Sequence, residues 1–380
     1  MDKILFTRPI FGEAERAVLT RIMNHPELLV GNEYLDGSRA FLTKMYGTLV
    51  LPTHSCAAAL EMSAILLNIQ PGDEVILPTY TYVATANPYV LRGAKIRFVD
   101  MRADTLNFDE SQLEAAINSK TRAIVVMHYA GVSCDMEAIM AIANAHHIPV
   151  VEDAAQCIDA RYKGKLLGTF GSMGALSFHN TKNITPGLGG ALIINDKSLM
   201  DRSKVLWQRG TNREAYLEGQ VDKYTWVDLG SSFVMSELSA GLLLAQLSRH
   251  QEILKSRVDA WNCYQEAFKF VEELGFRRPF IPENCEHNGH VYFLMAPSDE
   301  KAKQVRSALN ARGISSSSHY VPLHLSPAGK KYSADLSLNF PVAESIYLRL
   351  IRLPLWEGVD TARVISEVSA VLKELESQKN

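Results

Sequence analysis

The stretch IPVVEDAAQ at residues 148–156 decides the fold class of this chain. Its short, β-branched apolar run predicts a buried strand, and two acidic residues, Glu152 and Asp153, stand where that strand ends. In an open α/β sheet, ligands bind beyond the carboxyl ends of the strands. We therefore expect one of the two carboxylates to face a ligand. We prefer Asp153 and keep Glu152 as the alternative, since spacing does not decide between them.

Helices and strands alternate on both sides of this stretch. Short β-branched strands separated by helices predict an α/β fold with a mainly parallel sheet that is covered on both faces. The predicted helices are at residues 55–67, 85–92, 110–117 and 136–146. The predicted strands are at residues 74–77, 95–99, 123–127, 149–151, 176–178 and 191–194.

The pattern changes near residue 250, where we place a domain boundary. The length of 380 residues favours two domains, a large one at residues 1–250 and a small α+β domain at residues 251–380. A helical region that opens at residue 236 is predicted to continue to residue 274. It is followed by predicted strands at residues 290–295 and 316–321 and predicted helices at residues 301–312 and 361–376.

A second stretch, LSFHNTKN at residues 176–183, places Lys182 after another apolar strand. Most lysines are solvated and most strand-end aspartates cap turns or helices, so either residue alone indicates little. Together they are the two groups that pyridoxal phosphate (PLP) chemistry requires. The amine forms a Schiff base with the aldehyde, and the carboxylate keeps the pyridine nitrogen protonated. The pair therefore predicts a PLP site.

Other residues could complete this site. In LPTHSCAAALE, residues 51–61, small residues open a helix whose free N–H groups suit a phosphate, although an ordinary N-cap at Ser55 is the simpler interpretation. Ser177 offers a further hydroxyl, and Gln156 could reach the same ligand. An aromatic residue of PTYTYVATAN, residues 78–87, could stack on a flat cofactor, although aromatic residues near strand ends usually belong to the core.

Composition argues against several classes of protein. A net charge of -3 gives no basis for binding nucleic acid or an anionic membrane, and no apolar run approaches the length of a membrane span. The five cysteines are scattered, and the histidine pairs lack a carboxylate at ligand spacing, so no disulfide framework or metal site is predicted. No G-x-G-x-x-G follows an early strand, which argues against a nicotinamide enzyme. We expect a soluble, cytoplasmic protein.

Over essentially its whole length the chain resembles the DegT/DnrJ/EryC1/StrS sugar aminotransferases, which are PLP enzymes of the aspartate aminotransferase fold (fold type I). The stretches that carry the resemblance are PGDEVI (71–76), RGAK (92–95), residues 150–156, residues 177–183 and HYVPLH (319–324). Within the family, the most similar subgroup forms dTDP-4-amino-4,6-dideoxygalactose. The stretches similar to that subgroup are FHNTKN (178–183), GQVDKYTW (219–226) and GSSF (230–233).

The resemblance implies a role for each matching residue. Lys182 would form the Schiff base and Asp153 would hold the pyridine nitrogen. Gln156 would lie against the phenolic oxygen, and Tyr82 would stack on the ring. The phosphate would be held by Ser55, Cys56, Ala57, Ser177 and, across the interface of a homodimer, Ser232. The substrate pocket would include His319, Tyr320 and His324.

The implied reaction consists of two half-reactions. L-Glutamate gives up its amino group, and C4 of dTDP-4-keto-6-deoxy-D-glucose then accepts it, with Lys182 moving the protons. The product, dTDP-4-amino-4,6-dideoxy-D-galactose, would serve surface polysaccharide biosynthesis. The C4 epimer dTDP-4-amino-4,6-dideoxy-D-glucose and a C3 transaminase are alternatives, whereas Lys182 argues against a dehydratase with histidine in its place. A non-catalytic regulatory protein on this scaffold, binding no PLP, is the alternative of another class.

Two positions depart from the family pattern. Ala57 stands where a threonine is usual, which removes one hydroxyl from the phosphate site but leaves its backbone N–H groups. Leu188, in GLGG at residues 187–190, stands where an acidic residue is usual. The second departure bears on substrate fit or on ordering of that loop, and neither affects the chemistry expected at Lys182.

Overall fold

The structure, a computed structural model, describes residues 2–377. Its strands fall into one large sheet and two small ones. They are β1 (Leu49–Thr53), β2 (Glu74–Pro78), β3 (Lys95–Val99), β4 (Thr121–Met127), β5 (Val150–Asp153), β6 (Arg161–Tyr162), β7 (Lys165–Leu166), β8 (Met173–Ser177), β9 (Gly190–Ile194), β10 (Cys285–Glu286), β11 (Tyr292–Met295) and β12 (Leu350–Leu353).

Helices surround these sheets. They are α1 (Glu13–Asn24), α2 (Glu33–Tyr46), α3 (Cys56–Leu66), α4 (Val83–Leu91), α5 (Leu113–Ala116), α6 (Met136–Ala145), α7 (Met200–Trp207), α8 (Arg213–Leu217), α9 (Glu237–Ser248), α10 (His250–Ala267), α11 (Asp299–Ala311), α12 (Pro327–Tyr332), α13 (Pro341–Ile346) and α14 (Thr361–Ser377). Short 3₁₀ turns are found at Pro26–Leu29, Glu110–Gln112, Tyr129–Gly131, Lys197–Leu199, Lys269–Leu274 and Leu323–Leu325.

The large sheet has seven strands in the order β1-β9-β8-β5-β4-β2-β3. The five strands from β8 to β3 in that row run parallel to one another, whereas β9 runs antiparallel to both of its neighbours, β1 and β8. Residues 123–127 of β4 are buried throughout, as expected for a strand with helices on both faces. The predicted α/β class with a mainly parallel sheet is confirmed.

The residues that follow four of the strands lie together at one edge of this sheet. Because β9 is antiparallel to both of its neighbours, β1 runs parallel to β8, and the carboxyl ends of β1, β2, β5 and β8 meet at the same edge. The side chains at or just after those ends include Ser55, Tyr82, Asp153 and Ser177. The topology therefore gathers residues that are up to 122 positions apart in sequence (177 − 55).

Glu152 fixes the loop that precedes β8. Its carboxylate is fully buried and accepts hydrogen bonds from the backbone N–H groups of Gly168, Phe170 and Gly171 at 2.6–2.7 Å. His128 donates to the same carboxylate from Nε2 at 3.1 Å, because its Nδ1 already accepts a backbone N–H. Successive side chains of a strand point to opposite faces, so Glu152 and Asp153 face different surroundings.

The strand predicted at residues 316–321 is wrong. Only Ser317 forms a β-bridge, with Arg352, while the neighbouring strand β12 pairs with β11 instead. Side-chain hydrogen bonds replace the strand pattern here, because Ser316 N–H donates to Asn310 Oδ1 and Ser316 Oγ donates to the Arg352 carbonyl. Serine competes for backbone partners in this way, and the segment lies extended beside β12 without forming a ladder.

The helical region predicted from residue 236 to residue 274 is confirmed, but it consists of α9, α10 and the 3₁₀ turn at Lys269–Leu274. It is divided at Arg249 and Phe268, whose backbone angles are not helical. The Arg249 guanidinium forms ion pairs with Glu15 and Glu357, which ties this break to two distant segments. The helix predicted at residues 110–117 is likewise shorter, consisting of a 3₁₀ turn and α5.

Buried apolar side chains form two clusters. The larger surrounds the seven-stranded sheet, and the smaller lies among α10, α11, α14, β11 and β12. Ile4 belongs to the smaller cluster and pairs with Ile314, so the N-terminal segment packs against the C-terminal part of the chain. The domain boundary near residue 250 stays a prediction. Within residues 2–377, no helix is both long enough and apolar enough to cross a membrane.

We expect the substitution Glu152→Gln to lower the free energy of unfolding by about 3 kcal/mol or more, because it turns an amide group toward buried N–H donors. Urea unfolding followed by tryptophan fluorescence measures this change. Glu114→Gln is the matched control, since Glu114 also pairs with a histidine but its side chain is 62% exposed. The control should change stability by less than about 0.5 kcal/mol, and equal effects of the two substitutions would contradict the account.

Candidate active site

A cavity of about 530 Å³ opens at the carboxyl edge of the large sheet. Most of the residues singled out from the sequence line it, although they come from separate strands, helices and loops. Those lining the cavity are Ser55, Cys56, Ala57, Tyr82, Asp153, Gln156, Ser177, Lys182, His319 and Tyr320.

Lys182 lies on the turn that follows β8, and its backbone N–H donates to the His179 carbonyl at 2.8 Å. Within residues 2–377, its Nζ forms no hydrogen bond or salt bridge. Burial lowers the pKa of Lys182 below the usual range of a lysine amine, while the charge of Asp153 opposes that shift. The amine is thus poised to lose its proton more readily than a surface lysine.

Asp153 is held rigidly at the end of β5. Its side chain accepts a hydrogen bond from Thr85 Oγ1 at 2.7 Å and another from the Ala155 N–H at 3.1 Å. Thr85 is itself in contact with Thr81 Oγ1 at 2.7 Å. Burial raises the pKa of Asp153, and the two hydrogen bonds oppose this effect only in part. A cation against this carboxylate would favour its ionised form.

The N-terminus of α3 provides a site for an anion. Ser55 caps the helix by accepting the Ala58 N–H at 3.1 Å, while the N–H groups of Cys56 and Ala57 have no acceptor in the described chain. Gly190, at the start of β9, lies so close that an added Cβ would be 2.3 Å from the Cys56 nitrogen. The glycine therefore lets this strand approach the helix end, and Ser177 lies opposite it in register.

Gln156 connects the sheet edge to the segment that follows α11. Its Oε1 accepts the Ala130 N–H at 2.6 Å, and its Nε2 donates to the Tyr320 hydroxyl at 2.9 Å. The ring of Tyr320 stacks on His319 with centroids 3.9 Å apart, and His319 Nδ1 contacts the Tyr129 hydroxyl at 2.7 Å. Burial lowers the pKa of His319 well below its usual range, so the imidazole is neutral near pH 7.

Tyr82 and Leu188 lie near the mouth of the cavity. Both line it while remaining 58% and 53% exposed, respectively. The Tyr82 ring is 6.0 Å from the Tyr320 ring, centroid to centroid. Leu188, one of the two departures from the family pattern, thus presents an apolar side chain on the loop between β8 and β9 that also carries Lys182.

Two predicted site residues do not line this cavity. His324 instead contacts Thr79 Oγ1 at 2.5 Å and Glu344 at 3.1 Å. Ser232 is exposed and forms a β-bridge with Gln208. In residues 2–377, no three His, Cys, Asp or Glu side chains lie close enough together to hold a metal ion.

Several residues that line the cavity were not predicted from the sequence. Arg352 carried a usable signal, because a charged residue interrupts the apolar run of β12. His290 carried a weaker one, and its Nδ1 contacts Asn183 Oδ1 at 2.8 Å, beside the lysine loop. Nothing local in the sequence marks Phe6 or Arg257, since only the tertiary fold brings them to the cavity. The residues missed include Phe6, Thr81, Arg257, His290 and Arg352.

The lowered pKa of Lys182 predicts a shifted pH profile for its modification. In cofactor-free protein, acetylation of Lys182 should reach half of its maximal rate at a lower pH than acetylation of the exposed Lys303, because more of the buried amine is uncharged. Competitive labelling with acetic anhydride, followed by peptide mass spectrometry, compares the two midpoints within one sample. A Lys182 midpoint at or above that of Lys303 would contradict the burial argument.

Comparison with known proteins identifies the family to which the chain belongs. A sequence profile described as the DegT/DnrJ/EryC1/StrS aminotransferase family matches residues 9–372. The chain is 33% identical over 372 residues to the uncharacterized protein MJ1066 of Methanocaldococcus jannaschii, covering 96% of both proteins. It is 32% identical over 374 residues to the spore coat polysaccharide biosynthesis protein SpsC of Bacillus subtilis, covering 96% of this chain and 95% of SpsC.

Solved structures share the whole fold. The putative sugar aminotransferase Spr1654 from Streptococcus pneumoniae, in its PMP form, superposes with a TM-score of 0.89 at 26% identity, covering 98% of this chain and 99% of that one. DesV of S. venezuelae, in complex with a ketimine intermediate, gives a TM-score of 0.83 at 27% identity, with coverage of 98% and 99%. These matches confirm the predicted fold type I architecture. The chain belongs to the DegT/DnrJ/EryC1/StrS family of PLP-dependent sugar aminotransferases.

Proposed function

We propose that the protein transfers the amino group of L-glutamate to C4 of a nucleotide-linked 4-keto-6-deoxy sugar. The specific reaction proposed converts dTDP-4-keto-6-deoxy-D-glucose into dTDP-4-amino-4,6-dideoxy-D-galactose in the cytoplasm, for surface polysaccharide biosynthesis. The observation that carries the proposal is that Lys182 and Asp153 line one cavity. The polysaccharide role of SpsC and the stretches FHNTKN, GQVDKYTW and GSSF support the choice of sugar.

The residues of the cavity fit PLP. The cavity contains the Lys182 amine, which has no hydrogen-bond partner in the described chain, and the buried Asp153 carboxylate, which a cation would stabilise. It also contains the free N–H groups at the start of α3. When bound, PLP supplies a conjugated, electron-accepting ring that lowers the barrier to removing a proton from carbon. We propose that Lys182 holds its aldehyde carbon, Asp153 its ring nitrogen, and the backbone of Cys56 and Ala57 its phosphate.

Lys182 also moves protons in the proposed reaction. Its Nζ takes the proton from the α-carbon of L-glutamate in the first half-reaction and delivers a proton to C4 of the sugar in the second. A base works best when its pKa is near the working pH, and burial lowers the pKa of this amine toward that range. One side chain can therefore serve both half-reactions.

The remaining lining residues position the reactants. Ser55 and Ser177 add hydroxyl groups to the phosphate site. Gln156 is oriented by the Ala130 N–H and keeps a second amide hydrogen available toward the cofactor. Tyr82 offers a ring face, and His319 and Tyr320 form a stacked wall that we assign to the substrate. Because Gln156 also binds the Tyr320 hydroxyl, one amide links the cofactor side of the cavity to the substrate side.

We also propose that the enzyme is a homodimer. An exposed apolar surface lies on the segment from α8 to residue 229, and surfaces of this kind mark interfaces between proteins. Its residues are Tyr216 (45% exposed), Leu217 (61%), Tyr224 (51%), Trp226 (77%), Val227 (53%) and Leu229 (51%). Ser232 follows directly after this surface and is exposed, and we propose that its hydroxyl reaches the phosphate site of the second copy.

The two half-reactions can be followed separately. PLP-loaded enzyme should lose its visible absorption band when L-glutamate is added and regain it with dTDP-4-keto-6-deoxy-D-glucose. Lys182→Ala should slow both steps by at least about 100-fold, because it removes the base. Lys303→Ala, on the exposed face of α11, is the matched control and should leave both rates unchanged.

NMR of the amino sugar completes this experiment. Proton couplings at C4 distinguish an axial amine, which we expect, from the equatorial amine of the glucose epimer. The carbon chemical shifts show whether the amine is at C4 or at C3. A Lys182→Ala variant that retains both half-reactions would refute the assignment of the base. A wild-type protein that binds no PLP and ignores L-glutamate would favour the non-catalytic alternative.

A further inference from the structure

His290 lines the cavity two residues before β11 and has no role in the chemistry described so far. The residue is only 8% exposed. Its backbone carbonyl accepts a hydrogen bond from Arg257 Nη2 at 3.0 Å, and the carbonyl of the preceding Gly289 accepts one from Arg257 Nε at 3.2 Å. The main chain that carries the imidazole is therefore held in place.

Asn183 determines which nitrogen of the His290 ring carries the hydrogen. The Asn183 Nδ2 group donates to the Asn288 carbonyl at 2.9 Å. Because a carbonyl oxygen can only accept, this contact fixes the orientation of the amide and turns Asn183 Oδ1 toward the imidazole, 2.8 Å from His290 Nδ1. The amide oxygen can also only accept, so Nδ1 is the nitrogen that donates.

The other ring nitrogen of His290, Nε2, is then a hydrogen-bond acceptor without a partner. A neutral imidazole has one N–H, and burial together with the charge of Lys182 lowers the pKa of His290 well below its usual range. Within residues 2–377 no group donates to Nε2, and this atom stays accessible from the cavity. Because a buried acceptor without a donor is costly, the ring is suited to a ligand that brings a hydroxyl or an amine.

His319, on the stacked wall of the cavity, does not offer an equally defined acceptor. Its Nδ1 contacts the Tyr129 hydroxyl at 2.7 Å, and a hydroxyl can donate as well as accept. Either nitrogen of His319 can therefore carry the hydrogen. His290 differs because its partner, an amide oxygen, permits only one arrangement.

We infer that His290 Nε2 accepts a hydrogen bond from the C3 hydroxyl of the keto sugar and so selects sugars that carry this group. The sugar and its position at Lys182 are those of the proposed function, on which this inference rests. His290 contacts the residue that follows Lys182 in the chain, so its ring lies beside the amine that must reach C4. Of the two ring carbons next to C4, C3 bears a hydroxyl and C5 bears an apolar methyl group. The C3 hydroxyl is therefore the donor nearest to the reacting carbon.

Two stable amino sugars test this inference in the reverse half-reaction. PLP-loaded enzyme is mixed with dTDP-4-amino-4,6-dideoxy-D-galactose or with its analogue that lacks the C3 hydroxyl, and the loss of the visible absorption band gives a second-order rate constant for each. The wild-type enzyme should prefer the hydroxylated sugar roughly 10- to 100-fold, because the analogue leaves a buried acceptor unpaired.

His290→Phe should abolish this preference. The variant removes the acceptor, so its rate constant with the hydroxylated sugar should fall by roughly 10- to 100-fold, while that with the analogue should change by no more than about twofold. L-Glutamate has no ring hydroxyl, and its half-reaction should also stay within about twofold. His146→Phe, at a histidine that pairs with Glu114 on the surface, is the matched control and should keep the wild-type preference.

His290→Gln protects against a folding defect in the phenylalanine variant. Its amide oxygen can lie near the position of Nε2, so it should bind PLP normally and recover part of the preference for the hydroxylated sugar. A general packing defect would instead slow the reactions with both amino sugars by the same factor and leave their ratio unchanged.

A preference for the hydroxylated sugar that survives in His290→Phe would overturn the inference, as would a wild-type enzyme that does not distinguish the two amino sugars. Equal slowing of both amino sugars and of L-glutamate would assign Nε2 to the freed amine of Lys182 and would also overturn it. Failure of the proposed function looks different, because the wild-type enzyme would then react with neither amino sugar nor with L-glutamate.

Discussion

The alternation of side chains along β5 is the constraint on which the site depends. It directs Glu152 into the protein, where three backbone N–H groups and His128 bind it, and directs the next residue, Asp153, into the cavity. A shift of one residue in register would exchange the two carboxylates. The network around Glu152 opposes such a shift because it satisfies buried N–H groups that no other acceptor serves. The buried Glu152 thereby fixes the position of the carboxylate that faces the cavity.

Burial acts on the two central ionisable groups in opposite directions. It lowers the pKa of Lys182 and raises that of Asp153, since both charged forms lose solvation in the same cavity. Each residue is thereby suited to a cofactor that has an electrophilic carbon for the amine and a cationic ring nitrogen for the carboxylate. The contacts between Gln156 and Tyr320 and between His319 and Tyr129 hold the other wall in place.

Much of this arrangement could be predicted from local sequence, and the remainder depends on tertiary contacts. The helix start at Ser55, the strand ending at Asp153 and the lysine loop have clear local signals, and the structure brings them together. The segment at residues 316–321 resembled a strand, but its serines bind side chains and the backbone of β12. The preference for Asp153 over Glu152 could not be derived from spacing, because the deciding partners are N–H groups of residues 168–171. Phe6 reaches the cavity only because the N-terminal segment packs beside Ile314.

The central claim is that Lys182 is the residue to which the cofactor attaches. Treating the protein with borohydride in the presence of PLP makes that attachment permanent, and peptide mass spectrometry then locates the pyridoxyl group. We expect a single modified site at Lys182, with trypsin no longer cleaving after that residue. Modification at another lysine, or no stable modification in protein that has bound PLP, would contradict it.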